Sequence, residues 1–113
     1  MELVRTYQGA SATSCGRRSE NEDAVWISAP SADAHGVVGL AVDGMGGLQF
    51  GAAAAKAVVS LFGEFDWQSL SKCPADRAVL SRELRDVVNA SHQRVCTLPE
   101  ASASELGAAM CAA

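Results

Sequence analysis

The sequence predicts an α+β fold in which helices cover one face of an antiparallel sheet, and three observations predict it. A continuous apolar run, Val37 to Val42, is bounded by Gly36 and by Asp43-Gly44, so it reads as a buried strand too short for a helix. Two longer stretches after it carry apolar residues at helical spacing. The elements thus run strand, strand, strand, helix, helix and the start of a further strand, an order that segregates helices from the sheet.

Taken in order, Leu3, Val4, Thr6 and Tyr7 give a weak strand signal within Leu3 to Thr13, read as a first edge strand ahead of the small polar segment Gly9 to Cys15. The charged stretch Gly16 to Asp23 then runs straight into Ala24-Val25-Trp26-Ile27, which is rich in strand formers, so carboxylates stand at the mouth of a strand. Ala29 to Gly36 holds Pro, Ser, Asp and Gly and is expected to turn a hairpin. The buried strand after it delivers Asp43 to its end.

From about Gln49 to Phe65 the Ala-rich stretch is apolar around most of its circumference, with Lys56, Ser60 and Glu64 forming one wet stripe: a largely buried helix. A second helix is expected to start near Pro74-Ala75-Asp76 and run to about Val95. It packs through Leu80, Leu84, Val87, Val88, Ser91 and Val95, with Arg82, Glu83, Arg85 and Asp86 off that face. Ala101 to Ser104 reads as a loop, and Leu106 to Ala113 begins another element.

The 113 residues, 49% hydrophobic and 19% charged, suit one globular domain. A net charge of -4 with nine Lys and Arg argues against a nucleic-acid partner, which needs a basic face. No signal-like segment and no run of about 18 apolar residues is seen, so no membrane partner is expected and the localisation is read as cytoplasmic. Cys15, Cys73, Cys96 and Cys111 form no C-x-x-C pair and are read as reduced thiols. His35 and His92 are read as surface or structural residues without a partner at metal-ligand spacing, and Trp26 and Trp67 as packing residues.

Two segments carry chemistry together: Arg18-x-x-Asn21-Glu22-Asp23 before one strand and Asp43-Gly44-Met45-Gly46-Gly47 after the next. A hairpin would bring them near each other, and acidic oxygens converging from two strand ends suit magnesium or manganese, hard cations that take carboxylate, carbonyl and water ligands. Glycines beside Asp43 would let the backbone approach an ion. Taken singly, each segment is also what a solvated turn looks like. A nucleotide-binding loop is not formed, because no Gly-Lys-Ser/Thr follows and Gln49 stands where G-x-G-x-x-G needs its last glycine.

Arg18-Ser19-Glu20-Asn21-Glu22-Asp23-Ala24 resembles the R-x-x-N-E-D-A motif of bacterial PPM (type 2C) metal-dependent protein-serine/threonine phosphatases, and Val42-Asp43-Gly44-Met45-Gly46-Gly47 resembles their D-G-M-G-G strand end. Val88-Asn89-Ala90 and Leu106 to Ala113 resemble the family's second helix and its following G-T-T-L strand. The resemblance implies a partial PPM-type β-sandwich flanked by helices, with residues 1–113 as the N-terminal part of one phosphatase domain, truncated at the C-terminal side. It implies two manganese or magnesium ions in the complete domain and a phosphorylated protein, at Ser or Thr, as substrate. Asp43 would bridge both ions, Gly44 would offer its carbonyl, Glu22 would be a ligand or hold a ligand water, Asp23 would act through bound water, and Arg18 would hold the substrate phosphate. The isolated chain is then expected to be inactive. Leu48, Ala52 and Ala108-Ala109 replace the family's His, Glu and paired Thr, which motivates the alternative of a noncatalytic PPM-like module that binds a protein partner.

Overall fold

A computed structural model describes residues 7–28, 36–45, 50–71, 76–99 and 107–112. The hairpin turn after Ala29, Gly46, Gly47, Leu48, Pro74, the loop Ala101 to Ser104 and the strand signal at Leu3 to Thr6 lie outside those residues. The chain is α+β, as its element order predicts. Strand β1 (Asp23–Ile27) and strand β2 (Gly39–Met45) precede helix α1 (Phe50–Glu64), a 3-10 turn at Gln68–Ser71, helix α2 (Arg77–Cys96) and strand β3 (Gly107–Ala112). The sheet order is β1-β2-β3, and both pairings are antiparallel.

Side chains alternate across a strand, and β2 shows it plainly: Leu40, Val42 and Gly44 are buried while Ala41, Asp43 and Met45 are exposed. The buried set meets Ala54, Ala55, Val58 and Phe62 of α1, and Val87 and Val95 of α2 complete the core. Alanines on the inner face of α1 let the helix axis approach the sheet, and Phe62 is fully buried. Trp26 and Trp67 close that end of the core against Phe62, with ring centroids 6.2 and 5.7 Å away, and Trp67 Nε1 donates to the Phe62 carbonyl at 3.1 Å. Helix α2 starts where Asp76 Oδ1 accepts from Ala78 N and Val79 N, an N-cap of the kind that stabilises a helix by about 1 kcal/mol.

Gly9 to Cys15 joins no strand ladder, as its small polar composition predicts, and Gly9 lies so close to Ile27 that a Cβ there would overlap the isoleucine side chain. Three expectations are corrected. Strand β2 does not stop at Asp43 but continues to Met45, because β3 pairs with it as far as the Met45–Gly107 register. Glu83 does not lie off the packed face: it is buried and its carboxylate accepts from Ser69 N at 3.1 and 3.2 Å, holding the 3-10 turn to α2. Val88, placed on the packed face by spacing, is exposed. Among the described residues no helix is long and apolar enough to cross a membrane.

Candidate metal centre

The two motif segments meet where the open ends of β1 and β2 pair. Gly44 N donates to the Glu22 carbonyl at 3.0 Å, so Glu22 and Gly44 form a hydrogen-bonded position of the ladder. The next register pair, Asp23 opposite Asp43, is therefore a non-hydrogen-bonded pair, the kind in which facing Cα atoms stand only about 4.5 Å apart and side chains are closest. Both carboxylates leave on the open face and both residues are exposed. Like charges placed directly across a ladder are destabilising. Among the described residues no cation pairs with either one.

Glu22 and Gly44 face the other way, toward α1. A Cβ built on Gly51, in the first turn of α1, would stand 3.0 Å from the Glu22 carboxyl carbon and 3.0 Å from the Gly44 carbonyl oxygen. Carboxyl and carbonyl therefore converge over one point that only a glycine leaves open. The carboxylate is also favourably placed at the positive end of the α1 dipole. Gly44 is equally constrained, since a Cβ on it would overlap the Gly51 carbonyl and approach the Glu22 carbonyl within 2.6 Å.

Ahead of β1, the loop that carries Arg18 is shaped by two devices. Gly16 takes φ +58°, a left-handed conformation that suits glycine, and Arg18 N donates to the Cys15 carbonyl at 3.0 Å to close a tight turn. Asn21 then ties both ends of the loop: its Nδ2 donates to Thr13 Oγ1 at 3.0 Å and its Oδ1 accepts from Asp23 N at 3.0 Å. Arg18 stands exposed in this loop with its donors directed by neither bond.

The structure thus brings the expected residues together as two sets. Asp23 and Asp43 share the open face, Glu22 and Gly44 share the α1 side, and Arg18 rides on the loop before them. The oxygen donors fit a hard cation in kind. No group of three or more His, Cys, Asp or Glu is gathered to hold a metal ion among the described residues. Sequence reasoning gave no role to Asn21 or Gly51. Asn21 lies inside the motif, but its loop contacts appear only in the fold, whereas Gly51 matters only through a contact with Gly44 that spacing does not show. Comparison with family models, with curated proteins and with solved structures finds no match for this chain.

Proposed function

We propose that the chain carries part of the metal site of a PPM-type protein-serine/threonine phosphatase. The observation that supports this reading best is the directly opposed, uncompensated Asp23–Asp43 pair, flanked by the convergence of the Glu22 carboxyl and the Gly44 carbonyl over Gly51. Asp43 would hold manganese or magnesium on the open face, with Asp23 acting beside it through bound water, while Glu22 and the Gly44 carbonyl would offer oxygens to an ion on the α1 side. Such ions, when bound, make water acidic enough to act as a nucleophile near neutral pH and neutralise phosphoryl oxygens. No Ser, Cys or His nucleophile is then required of the chain itself.

Arg18 orients the phosphate of a phosphorylated protein, because its planar fork of donors matches two phosphate oxygens. Asn21 holds the Arg18 loop against the mouth of β1 and so fixes the arginine relative to Asp23. Gly44 and Gly51 keep the approach to the strand ends clear of side chains. A noncatalytic PPM-like module that binds a protein partner is the second reading, motivated by Ala108-Ala109 in β3 where the resemblance implies paired Thr.

Manganese-dependent hydrolysis of an aryl phosphate separates the two readings when measured in the full-length protein. Asp43→Asn is expected to lower turnover at least a hundredfold with the fold preserved, and Arg18→Ala to raise KM with manganese affinity nearly intact. An Asp43→Asn protein as active as the unaltered one would overturn the metal-site reading, and absence of turnover in the unaltered protein would favour the binding module.

A further inference from the structure

One pair of side chains on α2 is unrelated to the carboxylates and was not expected from spacing. His92 and Cys96 lie four residues apart on one helix face, both exposed, with Cys96 Sγ 3.7 Å from His92 Nε2. In a tetrahedral zinc site, metal–nitrogen bonds of about 2.0–2.1 Å and metal–sulfur bonds of about 2.3 Å put nitrogen and sulfur about 3.6 Å apart. The two donors already stand at the spacing of one edge of such a tetrahedron. We propose that His92 and Cys96 form a two-point chelate for a borderline-soft divalent cation of the zinc class.

The helix that presents the pair is held from below. Ser91 and Val95, the residues beside them, are buried, and the helix ends in a cap where Thr97 N donates to the Gln93 and Arg94 carbonyls. Little backbone freedom is therefore lost on binding, which favours affinity. The pair also opens on a groove of about 400 Å³ whose walls include Val88, Met45 and Met110. Thioethers are soft donors, and an apolar wall lowers the local dielectric, so this setting suits a thiophilic ion rather than the hard cations proposed for the strand ends. On binding, the thiol releases its proton to solvent, the thiolate and the neutral imidazole each donate one electron pair, and water completes the coordination. Without the ion, the same contact is an ordinary thiol–imidazole hydrogen bond.

Cadmium is the probe of choice, because it replaces zinc at such sites and its bond to thiolate gives an ultraviolet charge-transfer band. The reduced chain is titrated with Cd²⁺ alongside Cys96→Ser, His92→Gln and, as a control for an exposed thiol with no histidine four residues away, Cys15→Ser. Far-ultraviolet circular dichroism checks that every variant keeps its helices. The band in the unaltered chain should persist in Cys15→Ser and fall sharply in Cys96→Ser, and His92→Gln should weaken cadmium binding at least tenfold. Equal bands in Cys96→Ser and Cys15→Ser, or unchanged affinity in His92→Gln, would overturn the chelate. The result is independent of the phosphatase reading.

Discussion

The two faces of β2 are built from neighbouring residues and do opposite things. Toward the helices, Leu40, Val42 and Gly44 meet α1 in a packed core; toward the open side, Ala41, Asp43 and Met45 stay exposed, with Asp43 facing a second aspartate. One face lowers the free energy of the fold through apolar burial, and the other sets two exposed carboxylates opposite each other. Residues that stabilise the chain and residues available for chemistry are thus separated by a single step along a strand, and a variant's effect should depend on its parity more than on its distance from the motif.

The largest expected effect is on the packed face. Phe62→Ala removes a fully buried ring at the junction of Trp26 and Trp67 and should cost about 3–5 kcal/mol, measured by chemical denaturation. That is a large share of the roughly 5–15 kcal/mol by which a domain is typically stable. At the other extreme, Ala41→Thr places a β-branched residue on the open face, one position from Val42, and should change stability by no more than about 0.5 kcal/mol. A large loss in Ala41→Thr would mean that the open face is covered and would erase the contrast.

Much of this organisation was legible in the sequence because it is local. The apolar run ending at Asp43 identified β2, the alanines with Lys56, Ser60 and Glu64 on one stripe identified α1, and Pro74-Ala75-Asp76 marked the start of α2. What escaped depends on pairing between distant segments. The extension of β2 to Met45 needs β3 as its partner, and the burial of Glu83 needs Ser69 N, fourteen residues away, to donate to its carboxylate. For the candidate site, the motif residues were visible, but their division between two faces follows from a register set by the Gly44 to Glu22 hydrogen bond. The His92–Cys96 contact was in principle readable from helical spacing and was overlooked.

The metal-site assignment requires that Asp43, opposite Asp23, hold a cation. Its most direct test is the denaturation midpoint of the chain and of Asp43→Asn, each with and without Mn²⁺. Removing one of two opposed charges should make the metal-free variant the more stable of the two, while manganese should stabilise only the unaltered chain, by an amount that grows with the logarithm of its concentration above Kd. Equal stability of the two proteins without metal, together with an equal response to manganese, would contradict it and leave Asp43 an ordinary exposed residue of a strand.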